Sequence, residues 1–316
     1  MPDLAENFCT LVKDHTAGDP QREDLVWTYL TPQEIAAGLT ERGTPVCART
    51  ARRLLKVFGF VRRQAQKKRA MGTSPHRNAQ FENIGYLKAD YSDNDDPILS
   101  MDTKKKEFLG DFWRKGSLYA TGIVETLDHD FPGFAEGVVV PHGLYDLKRN
   151  LGHITLGFGH DTSELACDSL ALWWQRHGQA AYPQAKSILL LCDGGGSNNA
   201  KHHIFKEDLQ RLVNRIEIPI RVAHYPSYCS KYNPIEHRLF PHVTRAWQGA
   251  IFHTLDLMKR LLLRVRTSTG LKVTVAVLKK AYHTKRQASD RFLEKYPISF
   301  DCLLPEWNYT AVPTAY

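Results

Sequence analysis

Six cysteines stand far apart in this sequence (Cys9, Cys47, Cys167, Cys192, Cys229, Cys302), and no two form a CxxC pair. That spacing argues against a zinc ribbon or a disulfide framework and fits a reduced, cytoplasmic setting. The 14 histidines contain no HxxxH or HExxH pattern, so even the His202–His203 pair does not suggest a histidine-bound metal. No apolar run approaches the ~18–20 residues of a membrane span, and MPDLAENFCTLVKDH is no signal peptide; no membrane partner is expected. Gly194–Gly196 lack the GxxxxGK[ST] context of a Walker phosphate loop. Acid is the residue class missing most unevenly. Arg42 to Arg77 hold 11 Lys/Arg and no Asp or Glu, whereas the other residues carry 31 Lys/Arg against 34 Asp/Glu. One short segment therefore accounts for the whole net charge of +8. A charge run is usually a solvated face, but one this one-sided suits contact with a phosphate backbone.

The same basic segment is patterned as a helix-turn-helix. Thr31, Pro32 and Glu34 spell a capping box with proline at the first helical position. Gly43 and Pro45 end that helix. A second helix over about 48–58 turns Leu54, Leu55 and Phe58 inward and Arg49, Thr50, Arg52 and Arg53 outward, as a groove-inserting helix requires. Arg62, Arg63, Lys67, Lys68 and Arg69 follow in a basic linker suited to tracking phosphates. The expected organisation is a DNA-binding region with its linker at 1–78, a connector at 79–96, a catalytic core at 97–250 and a helical or irregular extension at 251–316.

From residue 97 the pattern alternates. A strand from Ile98 to Lys104 carries Asp102. A hairpin over 143–159 turns near Arg149–Asn150, with Gly152 easing it. A helix capped by Asp161 and Glu164 follows, then a buried-type strand, Ile188–Cys192, that runs into Asp193. After a helix over about 201–216 and the strand IPIRVAHYP, a Pro- and Tyr-rich loop leads to the helix holding Glu236. This order predicts an α/β fold: a mixed five-stranded sheet flanked by helices. It would bring Asp102, Asp193 and Glu236 to one sheet edge. Three carboxylates suit two divalent cations, Mg²⁺ or Mn²⁺, for phosphoryl transfer. Each acid has a plainer reading: strand-end solvation for Asp102, turn formation for Asp193, and for Glu236 a capping box with Asn233 as N-cap. Lys104 and Lys105 are candidate backbone contacts, as are Lys106 and Arg238, or else simple surface cations. Asn198 and His202 are candidates for positioning substrate or a metal-bound water.

The blocks SMDTKKKE, GLYDLKRNLGHI, LLLCDGGGSN and SKYNPIEHRLF, in this order, resemble the Rhodopirellula-type DDE transposases, the ISAzo group of bacterial insertion sequences. RNAQFENI, TGLKV and WNYTAVP extend the resemblance over roughly residues 15–313. It implies a ribonuclease-H-like core with Asp102, Asp193 and Glu236 as the catalytic triad. It also implies transposition by cleavage at the element's ends followed by 3′-hydroxyl strand transfer. The implied partners are the terminal inverted repeats, target DNA and further copies of the chain, with no small-molecule ligand, in a bacterial cytoplasm at the nucleoid. The departure is at the front. The resemblance implies another helix-turn-helix ahead of 31–58, which this chain is expected to lack, as a degenerate element or a truncated reading frame; that puts recognition of the terminal inverted repeats in question more than catalysis. The rival expectations are a non-catalytic or truncated DNA-binding derivative, a nuclease lacking strand transfer, and a regulator with an apolar pocket between Asp102 and Glu236.

Overall fold

The computed structural model describes residues 3–19, 22–63 and 75–314. The chain divides into two compact units, residues 1–69 and 70–316.

In the first unit, α1 (Leu4–Asp14) is followed by a hairpin of β1 (Thr16–Asp19) and β2 (Arg22–Thr28), then α2 (Pro32–Glu41) and α3 (Ala48–Val57). The region ahead of the helix-turn-helix thus holds a helix and a hairpin. The Thr31 capping box forms as its spacing predicts: the Glu34 amide donates to Thr31 Oγ1 and the Thr31 amide to the Glu34 carboxylate. Gly43 takes a φ of 79°, a conformation open to glycine at little cost, and lets the chain leave α2. Phe8, Leu11, Val12, Ile35, Leu39 and Ala51 make the core. The inward face of α3 differs from expectation. Ala51 is its fully buried residue, Leu54 and Leu55 are half-buried, and Phe58 is 38% exposed, stacked on Phe8.

The second unit opens with α4 (Arg77–Ser92), then β3 (Ile98–Thr103), β4 (Glu107–Leu109) and the hairpin β5 (Gly137–Asp146) and β6 (Leu151–Phe158). Next comes α5 (Ser163–Trp173), which runs through a π turn (Trp174–Gly178) into α6 (Gln179–Ala181). The chain continues with β7 (Ile188–Cys192), α7 (His203–Ile216), β8 (Ile220–His224), α8 (Ile235–Arg238), α9 (Phe240–Ala246) and α10 (Leu255–Leu263). It closes with β9 (Lys272–Ala281), α11 (Asp290–Lys295), β10 (Ile298–Phe300) and β11 (Asn308–Ala311).

The five expected strands lie in the order β6-β5-β3-β7-β8. β5 is antiparallel to both neighbours, while β3, β7 and β8 run parallel, which is the ribonuclease-H-like arrangement. The sheet is wider than five strands because the C-terminal stretch adds to both edges. β9 joins β6 in parallel, β11 and β10 extend the β8 side, and β4 pairs with β5. Strands β9, β10 and β11 are therefore built into the sheet, where a helical or irregular extension over 251–316 was expected. α4 is likewise no bare connector. Its Ile84, Leu87 and Tyr91 pack on Ile98, Leu189, Leu191 and Ala223. α4 and α8–α10 cover one face of the sheet, and α5 and α7 cover the other.

Among the described residues no helix is long and apolar enough to cross a membrane.

Candidate active site

Side chains alternate across a strand, so Ile98, Ser100 and Asp102 of β3 share the face covered by α4 and α8, while Leu99 and Met101 enter the opposite core. Asp193 directly follows β7, the parallel neighbour of β3. Glu236 comes from α8, which lies across the same strands. Two glycines permit that approach. Gly143, paired with Asp102 in register, would with a Cβ come 2.7 Å from Phe240 and 2.8 Å from Ile235. A Cβ at Gly152 would meet Leu239 at 2.4 Å. Gly152 is thus a seat for Leu239, whereas the sequence suggested a turn-easing role; the turn is made by Asn150, with a φ of 53°.

The helix start is held differently from a capping box. Asn233 is fully buried, and no side chain within the loop caps α8. The Asn233 amide nitrogen donates to the Met101 carbonyl (3.2 Å) and to Asp193 Oδ1 (3.3 Å), and its oxygen accepts from Ser100 Oγ (2.5 Å). Ser100 Oγ in turn accepts from the Ile235 amide (3.0 Å), so a residue of β3 caps the helix from outside. One buried asparagine therefore ties the strand of Asp102, the carboxylate of Asp193 and the helix of Glu236 together. This overturns the capping reading of Asn233 and Glu236.

The three acids act on one another. Burial, then the charge of Asp193, then the charge and hydrogen bonding of Glu236 push the Asp102 carboxyl up to about 8, against the pull of the Thr103 amide. Asp193 is raised to about 6, first by burial, with Glu236 adding to the rise and the Asn233 hydrogen bond opposing it. Among the described residues, no three His, Cys, Asp or Glu side chains already close into a chelating group. The acids are an open arrangement whose crowded negative charge a dication would relieve, and their oxygens are the donor type Mg²⁺ and Mn²⁺ take.

Because Asp102 and Asp193 hold protons more tightly folded than unfolded, the folded chain binds excess protons between about pH 4 and pH 8. Its metal-free stability should fall as pH rises through that window. Asp102→Asn should flatten the slope and, in chelator at pH 8.5, raise Tm by at least ~2–4 °C. Melting curves at pH 6 and 8.5 check this; an unchanged or lower Tm at pH 8.5 counts against crowding of the acids.

Several supports of the site lie beyond the reach of sequence reading. His224 is buried and held well below the ordinary imidazole range, at about 4, chiefly by that burial. The neutral ring donates from Nδ1 to the Asp193 carbonyl (2.9 Å) and accepts at Nε2 from the Tyr309 hydroxyl (2.9 Å). The WNYTAVP block therefore backs Asp193. Phe81 of α4 packs on Tyr225 and Tyr232, steadying the loop before Asn233. Asp161 does not cap α5; Thr162 does, accepting from the Leu165 amide. The Asp161 carboxylate instead accepts from Thr103 Oγ1 (3.0 Å) and Ser197 Oγ (3.1 Å), joining the residue after Asp102 to the turn after Asp193.

The other sequence-predicted residues fall into three groups. Arg49, Arg52 and Arg53 are exposed on α3, with Thr50 half-buried, and Arg62 and Arg63 are exposed beyond it. Lys67, Lys68 and Arg69 lie outside the described residues. Within the second unit Lys105 is exposed, but Lys104 is engaged, paired with Glu107 at 3.2 Å and set over Trp247. Asn198 is buried and accepts from Ser197 Oγ, and His202 is exposed at the start of α7.

A ribonuclease-H-like sheet with three interacting acids at one edge sets the class of the protein. The chain belongs to the family described as "Rhodopirellula transposase DDE domain", which matches residues 7–313. No curated protein matches it in sequence. Among solved structures it is similar to the Mos1 transposase paired-end complex with left transposon end (14% identity, 82% of this chain and 69% of that chain, TM-score 0.44). It is also similar to the mariner Mos1 paired end complex with Mg (14%, 82% and 69%, TM-score 0.45) and to the Mos1 Strand Transfer Complex (13%, 82% and 68%, TM-score 0.44). These likenesses are too loose to transfer residue roles.

Proposed function

We propose that this member of a transposase family is a divalent-metal-dependent DNA strand transferase whose catalytic residues are Asp102, Asp193 and Glu236. The carrying observation is the buried Asn233 bridge, which links all three acid-bearing segments. The three carboxylates would hold Mg²⁺ or Mn²⁺, which supply Lewis acidity and charge neutralisation for phosphodiester hydrolysis and for attack by the freed 3′-hydroxyl. Asn233 orients Asp193 and fixes the start of α8. His224 and Tyr309 fix the Asp193 backbone. Arg49, Arg52, Arg53, Arg62, Arg63 and Lys105 are exposed cations suited to DNA phosphates, and Thr50 sits among the arginines of α3. The acting form is a homo-oligomer that brings two element ends together.

The test is cleavage of a supercoiled plasmid carrying the element's ends, with Mg²⁺ or Mn²⁺. Asp193→Asn and Glu236→Gln should lose cleavage while still binding DNA. A folded wild-type chain that binds but never cuts would leave a DNA-binding derivative instead. Joining of pre-cleaved ends separates a transposase from a nuclease.

A further inference from the structure

Beside the acids, and wholly within the second unit, lies a cavity of about 570 Å³. Its inner wall includes Asp161 and Ser197, the pair that connects the strand ends bearing Asp102 and Asp193. Its outer wall is the C-terminal segment 283–288, so β9 brings a distant part of the chain to the site. The basic side chains divide sharply. Arg286 is spent on Asp208 and Glu164, and Lys201 pairs with Glu306. Lys285, His202 and His283 are exposed, and among the described residues no acid forms an ion pair with them. Lys285 also sits at a φ of 62°, a conformation costly for a lysine. Ile204, Ala288 and Leu293 give the same cavity an apolar side.

We infer that this cavity seats one unpaired nucleotide of the DNA strand entering the acid site, its phosphate against Lys285 and His283 and its base against Ile204, Ala288 and Leu293. The volume admits a nucleotide and not a duplex. Donors without protein acceptors suit a phosphate oxygen, and a small apolar wall suits a base face. The occupant is a strand of DNA because the cavity adjoins the acids; the inference rests on the proposed function for that identity.

The test compares binding of the full-length chain, in chelator, to a labelled 20-base-pair duplex of arbitrary sequence, blunt or with a three-nucleotide single-stranded overhang of either polarity. Contacts to the duplex by the first unit are common to both probes and cancel in the ratio. The overhang should be preferred about tenfold. Lys285→Ala with His283→Ala should erase the preference and lower its salt slope by about one phosphate. Lys285→Arg should keep it. No preference in the wild type, or a preference surviving the double substitution, overturns the assignment. The measurement needs no cleavage. A chain that fails the plasmid assay yet prefers the overhang sinks the enzymatic reading alone, and a chain that cuts without preferring it sinks only the nucleotide seat.

Discussion

Gly143→Val should abolish plasmid cleavage while leaving the chain folded and able to bind DNA. Even a single methyl group here would stand 2.7 Å from Phe240 and 2.8 Å from Ile235, both buried and unable to swing away. The cheapest relief is for α8 and α9 to lift off β5, and lifting α8 withdraws Glu236 from Asp102, which is paired with Gly143 in register. Overpacking of this kind costs about 1–3 kcal/mol, and a displacement of order 1 Å at a reacting centre can cost about 100-fold. Gly143→Ala should fall between wild type and Val in both respects. Far-UV circular dichroism, a melting curve and the cleavage assay on the same samples decide it. Full activity in Gly143→Val would mean that α8 need not touch the sheet for the reaction.

The second large effect is expected at Asn233. Asn233→Ala removes the acceptor of the Ser100 hydroxyl and a donor to each of the Met101 carbonyl and one oxygen of Asp193. Buried polar groups left unpaired cost about 1–3 kcal/mol each. With partial rescue by water, a loss of about 3 kcal/mol is expected, along with a fall in cleavage of at least ~100-fold. Ser100→Ala keeps two of the three Asn233 bonds and loses the cap on the Ile235 amide, so it should cost only about 1 kcal/mol and leave measurable cleavage. Asn233→Asp keeps the shape but sets a fourth carboxylate against Asp193, so it should be inactive for an electrostatic reason. If Asn233→Ala destabilised the chain while cleaving within a few-fold of wild type, Asn233 would be a packing residue with no part in placing the acids.

The acids were legible because of their local settings. Asp102 and Asp193 each follow an apolar strand pattern, and strand ends are where chain-distant residues meet. Glu236 was legible as a helix-start acid, but its immediate neighbours misled. Asn-Pro before a helix reads as a cap, since Asn is a favoured cap residue, and nothing local says that Ser100, 133 residues earlier, takes that task. Asp161 misled in the same way: Asp before Thr-Ser-Glu spells a cap, yet the adjacent Thr162 performs it and frees Asp161 for Thr103 and Ser197. Gly152 stood near a turn and was read as part of it, because the side chain that needs its missing Cβ belongs to Leu239.

By itself the sequence determined the order of the five core strands and the basic front end with its helix pair, and it singled out three acids as candidates. The first two rest on periodicity, capping and composition within a few residues, and the choice of acids rests also on the family resemblance. The tertiary structure alone decided that the C-terminal stretch would widen the sheet on both edges and that Tyr309 would back Asp193 through His224. It also decided that two glycines would seat the helix of Glu236 and that segment 283–288 would wall a cavity beside the acids. These depend on pairings between residues far apart in the chain, and neither propensity nor local pattern carries that information.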